Sequence, residues 1–250
     1  MANGSANSLA SLATENTDFR TLTDRRLRAI ANGSANSLAS VPGGPKQVSA
    51  SIQTGVQDRR LQAVLQLAQD CEYEVEHTHQ VTRLALRLFD ELGTLHGLGA
   101  EERFWLRCGA LLHDIGLIKG ARGHHKTALR IILDTPLLPF DARERLIVGS
   151  IARYHRKALP QETHAHFAAL DPADQDSVST LAALLRVADG LDYTHQSLVQ
   201  DISCETAPRQ IIVRCGVRRA AEVERQRALY KGNLLEQVLN RELVVEWRLV

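Results

Sequence analysis

At 250 residues the chain is long enough for one large domain or two small ones, and its 44% hydrophobic content is ample for a buried core. The 30 basic and 29 acidic residues leave a formal net charge of +1, which excludes the overall basic character typical of duplex nucleic-acid binding. No stretch approaches the length of a membrane span, and the N-terminus lacks a signal-peptide pattern. The four cysteines are not spaced like disulfide or zinc-binding pairs, so we expect a soluble cytoplasmic protein with reduced thiols.

Residues 1–50 have the composition of a linker. The stretch Ala2–Ser11 recurs letter for letter at Ala31–Ser40, and Asn, Ser, Ala and Gly dominate both copies. Such a composition buries too little apolar surface to offset the entropy lost on ordering. We therefore predict a low-complexity segment over residues 1–50, with its duplicated ten-residue stretch, and a folded domain over residues 51–250.

The folded part is predicted to be mainly α-helical, because apolar residues recur at helical spacing through most of it. The predicted helices begin at about residue 57 and then cover about 74–92, 100–115, 126–134, 142–157 and 178–191. Strand-like stretches at 199–205, 210–215 and 243–249 enclose a charged helix at about 220–239. We expect a helical bundle over residues 56–198 and, over residues 199–250, a small C-terminal β-α-β element with a short antiparallel sheet.

The stretch ALLHDIG places an imidazole and a carboxylate, His113 and Asp114, at the end of an otherwise apolar helix. Burying both groups is costly unless something pairs with them, and a divalent cation is an ordinary partner for both. His79 in the second predicted helix and Asp189 in the sixth lie on the apolar sides of their helical patterns. The order His, His-Asp, Asp over three helices therefore favours a metal site. Its candidate ligands are His79, His113, Asp114 and Asp189.

Two nitrogen and two carboxylate ligands suit Mn²⁺, Fe²⁺, Co²⁺, Ni²⁺ or Zn²⁺ better than Mg²⁺, which prefers oxygen ligands. Such a cation lowers the pKa of its bound water and polarises a phosphoryl oxygen. The sequence offers no Ser, Cys or Lys in an activating context. The simplest catalytic hypothesis is therefore attack by metal-bound water, with Asp114 as the catalytic carboxylate. Asp192, one turn after Asp189, is the alternative for the last ligand position.

The order of these motifs is similar to that of the HD superfamily of metal-dependent phosphohydrolases. From about Val56 to the end, the chain resembles more closely the C-terminal HD domain of the exopolyphosphatase/guanosine pentaphosphatase family. The matching stretches are LRLFDEL, LHGL, ALLHDIG, GHHK, ARYHRKALP and LLRVADGLD. The resemblance implies an HD-domain helical bundle, hydrolysis of a phosphoanhydride or phosphoester, a polyphosphate or guanosine-pentaphosphate-like substrate, and a homodimer.

A second metal is implied by resemblance to the HD-GYP phosphodiesterases, a related branch in which further histidines hold it. His125 and His155 are the candidates here. Two residues depart from that pattern: Arg156 stands where those enzymes have another histidine, and Leu117 replaces their usual lysine. The Gly-Tyr-Pro signature is also absent. The alternative is that His124, His125 and His155 are polar groups lining a phosphate pocket.

Basic residues flank these candidate ligands. His155 is surrounded by Arg153, Arg156 and Lys157. His125 is directly followed by Lys126. A guanidinium offers paired donors to phosphate oxygens, and lysine offers a point charge. Each residue taken alone is more often a solvated surface charge, but their positions make all four candidate phosphate-binding residues.

Two functions stay open on sequence grounds. The chain is either a phosphohydrolase or a non-catalytic binding or regulatory module that partners a separate catalytic domain. In the family that it resembles, hydrolysis of polyphosphate or guanosine pentaphosphate belongs to a separate N-terminal domain, and the HD domain helps to hold the polymer and build the dimer. The chain retains every ligand type, which favours the enzyme. In both cases the expected partner is polyphosphate or another phosphate-containing small molecule, and neither duplex nucleic acid nor a membrane.

Overall fold

Helices make up most of the computed structural model, which describes residues 45–250 and the side chains from residue 55 onward. Both copies of the ten-residue repeat lie outside these residues, and the division predicted at residue 51 stays a prediction. Within the described residues, no helix combines the length and the apolar character that crossing a membrane requires. Residues from Thr54 to Val250 form one compact unit.

The elements largely follow the predicted order. The helices are α1 Pro45–Asp70, α2 Val75–Glu91, α3 Gly93–His96, α4 Ala100–Leu111, α5 His124–Asp134, α6 Ala142–Arg153, α7 Ala165–Ala168, α8 Pro172–Gly190, α9 Glu222–Lys231 and α10 Asn233–Leu239. A 3₁₀ helix, η1, covers Ile115–Lys119, and the strands are β1 Val199–Thr206, β2 Gln210–Val217 and β3 Glu242–Leu249. The predicted fold class, mainly helical with a small C-terminal sheet, is confirmed.

Helix α8 is the centre of the bundle, since it packs against α2, α4, α6, α9 and α10. Every residue from Leu181 to Gly190 is buried, as expected for a helix that is apolar on all sides. The helix begins at Pro172, where the side chain of Asp171 accepts a hydrogen bond from the backbone N–H of Asp174. It therefore starts before the apolar pattern does, because an N-cap residue followed by proline determines the first turn.

Two glycines allow helices to approach each other closely at one end of the bundle. A Cβ on Gly109 in α4 would lie 2.5 Å from Cγ2 of Ile151 in α6. A Cβ on Gly116 in η1 would lie 1.9 Å from the carbonyl oxygen of His124, the first residue of α5. Any larger residue would force these elements apart. The ends of α4 and α6 and the start of α5 therefore meet in one place.

The C-terminal sheet has the strand order β1-β2-β3. The β1–β2 pair is antiparallel, as predicted, but the β2–β3 pair is parallel, so the sheet is mixed. A parallel pair needs a long crossover connection, and α9 and α10 supply it. The helix predicted over residues 220–239 is divided at Gly232, where a Cβ would lie 2.3 Å from Cδ2 of Leu243 in β3.

Substitution of Gly190 tests the packing of α8 on α9. A Cβ at this position would lie 2.6 Å from Cα of Ala228, so Gly190→Ala must push the two helices apart. We expect the free energy of unfolding, measured by urea denaturation, to fall by about 1–3 kcal/mol, the usual cost of overpacking. Gly93→Ala is the matched control, because a Cβ there meets nothing within 4 Å. Equal losses in the two variants would contradict the close contact.

Candidate functional site

Four histidines from different elements meet at one end of the bundle. His77 lies in the first turn of α2, His113 lies between α4 and η1, His124 begins α5, and His155 follows the end of α6. Their exposed fractions are 1%, 0%, 5% and 2% in that order. Buried imidazoles require polar partners, so the hydrogen bonds of these rings show what the site can hold.

Three of the rings are held through Nδ1 by a backbone carbonyl. In each, Nδ1–H donates to the carbonyl oxygen three residues earlier: His113 to Ala110 (2.7 Å), His155 to Ala152 (2.7 Å) and His124 to Ala121 (3.0 Å). A carbonyl can only accept, so each neutral ring carries its proton on Nδ1 and offers a lone pair at Nε2. Metal-binding histidines are commonly oriented in this way.

The Nε2 atoms converge on the carboxylate of Asp114. Its Oδ1 lies 3.0 Å from Nε2 of His124 and 3.3 Å from Nε2 of His155, and its Oδ2 lies 3.5 Å from Nε2 of His113. The Nε2 atoms of His124 and His155 are themselves only 3.2 Å apart. Burial opposes ionisation of Asp114, but the positive charge and the N–H donors that these rings offer when protonated outweigh burial and hold its pKa well below the usual range. Lone pairs and a carboxylate this close repel one another unless positive charge lies between them.

His77 brings two further carboxylates to the cluster. Its Nδ1 donates to Oδ2 of Asp192 at 2.8 Å, and its Nε2 lies 3.7 Å from Oδ1 of Asp189. The other oxygen of Asp189 accepts a hydrogen bond from Lys231. Burial raises the pKa of Asp189, but Lys231 outweighs this effect and lowers the pKa to about 2. Asp189 is therefore an ionised carboxylate that faces the cluster, whereas Asp192 orients the imidazole from behind.

The arrangement has the donor set of a metal centre. The Nε2 atoms of His77 and His113 are buried without a hydrogen-bond partner, and burial lowers the pKa of His113 to about 4, so this ring is neutral at pH 7. Among the described residues, two groups have potential ligand atoms within 4.8 Å of one another: His77, His113 and Asp114, and Asp114, His124 and His155. Asp114 belongs to both groups, so its carboxylate would be shared if each group held a cation.

His79, the predicted ligand from the second helix, does not lie in this cluster. The prediction that it faces the core is wrong, because its side chain is exposed, with Nε2 2.9 Å from the hydroxyl oxygen of Tyr73. The buried stripe of α2 includes His77, Val81 and Leu84 instead. Side chains that are two residues apart on an α-helix project about 200° apart. A shift of two positions therefore moves a side chain to the opposite face of the helix. The spacing of this stripe was the signal in the sequence that identifies His77.

On α5 the cluster contains His124, while the predicted second-metal ligand His125 lies beside it. His125 is half-buried, with its ring centroid 6.3 Å from that of His155. The buried residues of α5 include His124, Ala128 and Ile131, at helical spacing. This periodicity distinguishes the two neighbouring histidines. His155, the other predicted ligand, does lie in the cluster.

The four predicted phosphate-binding residues differ in environment. Lys126 and Lys157 are exposed. Arg156 is half-buried, with Nη1 3.5 Å from Nδ1 of His124. Arg153 is only 6% exposed, and its Nη1 has no hydrogen-bond partner. Of these four side chains, that of Arg156 contacts the histidine cluster.

His195, which the sequence did not point to, stacks on His77. The ring centroids lie 3.7 Å apart and the rings are parallel within 2°. Nδ1 of His195 donates to Oε2 of Glu74 at 2.8 Å, and the backbone φ of His195 is +55°. A left-handed conformation at a histidine costs on the order of 1 kcal/mol and persists only where surrounding contacts determine it. These contacts join residues that are more than a hundred positions apart in the chain, so no local sequence pattern predicts them.

Comparison with known proteins shows the family of the chain. A family model described as Ppx/GppA phosphatase, domain III, matches residues 59–237. The chain belongs to this family. The predicted kinship with the exopolyphosphatase/guanosine pentaphosphatase family is thereby confirmed, whereas membership of the HD superfamily stays a prediction.

A curated relative gives the same indication. The guanosine-5'-triphosphate,3'-diphosphate pyrophosphatase of Pseudoalteromonas atlantica is 28% identical over 106 residues, which cover 42% of this chain and 21% of the relative. The chain thus spans about a fifth of the length of that protein.

The pH dependence of stability tests the environment of His166, a half-buried residue of α7. Burial, followed by the charge of Arg153, lowers the pKa of His166 to about 4. In the unfolded chain the imidazole of His166 takes up a proton below about pH 6.5, whereas in the folded protein it does so only near pH 4. The free energy of unfolding therefore falls as the pH is lowered from about 6.5 towards 4. We expect wild type to lose about 1–2 kcal/mol more than His166→Gln between pH 7 and pH 4.5 in urea denaturation. His79→Gln, on the exposed side of α2, is the matched control for the loss of an imidazole. Equal losses in wild type and His166→Gln would contradict the lowered pKa.

Proposed function

We propose that the chain hydrolyses a phosphoanhydride or phosphoester bond with the help of divalent transition-metal ions. The observation that supports this most strongly is the convergence of buried, lone-pair Nε2 atoms on one ionised carboxylate, Asp114. Mn²⁺, Fe²⁺, Co²⁺, Ni²⁺ or Zn²⁺ suits such mixed nitrogen and oxygen ligands better than Mg²⁺. A bound cation supplies two things to phosphate hydrolysis: it acidifies a coordinated water, and it polarises a phosphoryl oxygen.

The residues that would hold the metal ions differ from the predicted set at two positions. One cation would be held by His77, His113, Asp114 and Asp189, and a second by Asp114, His124 and His155. Each of the carbonyl-held rings has its lone pair on the correct nitrogen. Asp192 supports the assignment of His77, since a carboxylate behind a ligating imidazole fixes its orientation and raises its basicity.

The remaining polar groups would bind and orient the substrate. Arg156, at the edge of the histidine cluster, can donate paired hydrogen bonds to phosphoryl oxygens. The exposed Lys126 and Lys157 add positive charge that attracts a polyanion. Asp114, an ionised carboxylate, would accept a hydrogen bond from the attacking water and so orient it.

The family supports a substrate that carries several phosphates. The relative from Pseudoalteromonas atlantica is named for activity on a guanosine 5'-triphosphate 3'-diphosphate, and the family is one of phosphatases. We therefore favour polyphosphate or a guanosine-pentaphosphate-like compound as the substrate of this chain. The homodimer stays a prediction.

A second candidate function is that of a phosphate-binding module. It is favoured by the match to a single domain of these phosphatases and to only 21% of the relative. In this case the site would hold polyphosphate or a nucleotide on behalf of a separate catalytic domain. The two candidates differ in one measurable property, which is turnover by the isolated chain.

Metal content tests the ligand set. We expect His77→Ala to lose at least one bound transition metal per chain, measured by elemental analysis of the purified protein, because an imidazole ligand has been removed. His79→Ala is the matched control, since it removes an exposed imidazole two residues further along the same helix. Metal loss in the control and not in His77→Ala would contradict the proposed ligands.

Phosphate release tests catalysis. Metal-loaded wild type should release phosphate from polyphosphate, guanosine phosphates or another phosphate compound in a screen, and Asp114→Asn should abolish turnover because both proposed cation sites share this carboxylate. Arg156→Met should lower kcat/KM about tenfold or more with the metal still bound, because a charge-assisted hydrogen bond is lost. Metal-loaded wild type that binds polyphosphate and releases no phosphate from any compound would decide for the binding module.

A further inference from the structure

Arg153 is a buried cation without an anionic partner. It is 6% exposed, and its Nη1 is buried without a hydrogen bond. No carboxylate within residues 55–250 forms an ion pair with it. Arg186, 3% exposed, is a useful contrast, because its guanidinium donates to two backbone carbonyls and to Oδ1 of Asn233. An unpaired buried guanidinium is costly, so the surroundings of Arg153 are arranged for an anion that the chain itself does not supply.

His164 and His166 lie within reach of this charge. Burial lowers the pKa of His164 and His166, and for both residues the charge of Arg153 is the next largest cause. Lys126 also lowers the pKa of His164. The geometry agrees, because Cζ of Arg153 lies 5.8 Å from the centroid of the Tyr154 ring, which is 5.6 Å from that of His164 and 5.4 Å from that of His166.

The two histidines of the connection from α6 to α8 are fixed by hydroxyl groups. The rings of His164 and His166 are parallel within 7°, with centroids 5.7 Å apart. Nδ1 of His164 lies 2.8 Å from the hydroxyl oxygen of Tyr154, and Nδ1 of His166 lies 2.9 Å from Oγ of Ser150. A hydroxyl that donates to Nδ1 leaves the proton of the neutral ring on Nε2. Each ring can then offer an N–H donor, which is the opposite of the histidines around Asp114.

We propose that Arg153, His125, His164 and His166 form a binding site for an inorganic oxyanion of the phosphate class, next to the metal-binding cluster. Arg153 supplies the charge, and the histidines supply N–H donors; Nδ1 of His125 is itself buried without a partner. The site adjoins the cluster, because Arg153 precedes His155 by two residues and the ring of His125 lies 6.3 Å from that of His155. The role of this site rests on the proposed function, because it would hold a second phosphoryl group of the substrate while the first lies at the metal ions.

Titration calorimetry of the full chain with inorganic phosphate tests the site, at pH 7 and constant ionic strength. We expect Arg153→Met to bind phosphate about tenfold or more weakly than wild type, with unchanged metal content, because a charge-assisted donor is lost. The double variant His164→Ala, His166→Ala should also bind more weakly. Arg248→Met is the matched control, because it removes the same charge from an exposed position on β3 and should bind like wild type.

Thermal denaturation gives a second readout that a purely structural arginine would not produce. In phosphate-free buffer Arg153→Met should melt at the same or a higher temperature than wild type, because an unpaired buried charge has been removed. Added phosphate should raise the Tm of wild type and leave that of the variant nearly unchanged. A lower Tm of Arg153→Met without phosphate, together with phosphate affinity equal to wild type, would overturn the site.

The two proposals fail separately. Wild type that hydrolyses no phosphate compound yet binds phosphate through Arg153 would sink the proposed function and support the anion site. The anion site alone would be contradicted by a different outcome. In that case wild type hydrolyses its substrate, and neither Arg153→Met nor the double histidine variant alters the phosphate affinity or the KM. Should Arg153→Met fail to fold, the double histidine variant carries the test, because its residues are half-buried and lie in the connection between α6 and α8.

Discussion

A buried imidazole must have both of its nitrogens satisfied, and the site depends on how the helix ends meet this requirement. The last carbonyls of an α-helix have no partner within the helix. At the end of α4 one of these carbonyls, that of Ala110, accepts from His113, and at the end of α6 that of Ala152 accepts from His155. One hydrogen bond thereby caps the helix and selects the tautomer of the ring. The lone pairs that remain at Nε2 are the property on which the proposed metal binding rests.

Convergence of these lone pairs depends on close backbone approach. The rings of His113 and His155 come from different helices, yet their centroids are 4.9 Å apart. Gly109 allows α4 to lie against Ile151 of α6, and Gly116 allows η1 to reach the first residue of α5. The ligand geometry is therefore determined by rigid packing and not by flexible loops, which favours a preorganised site.

The histidines form two groups with opposite hydrogen-bond polarity. Where a carbonyl holds Nδ1, as at His113, the free nitrogen is an acceptor and suits a cation. Where a hydroxyl can donate to Nδ1, as at His164 and His166, the free nitrogen is a donor and suits an anion. The proposed cation site next to the proposed anion site would suit a phosphorylated compound, because its oxygens could contact metal ions at one end and N–H donors at the other. The two groups adjoin each other across the end of α6.

The sequence by itself determined the helical class, the order of the elements, the burial of α8, and the positions of His113, Asp114 and Asp189 at helix ends next to apolar runs. These features follow from local periodicity and from single residues that need a polar partner. The helical spacing of buried residues signals only weakly which of two nearby histidines faces the site, and tertiary packing decides it: His77 and not His79 on α2, and His124 and not His125 on α5. Tertiary structure also decided the pairing of Asp189 with Lys231 and the parallel direction of β3. The physical reason is that an apolar pattern specifies a helix more strongly than it specifies the rotation of that helix about its axis. Contacts with residues far away in the chain select the rotation, the hydrogen-bond partners and the strand direction.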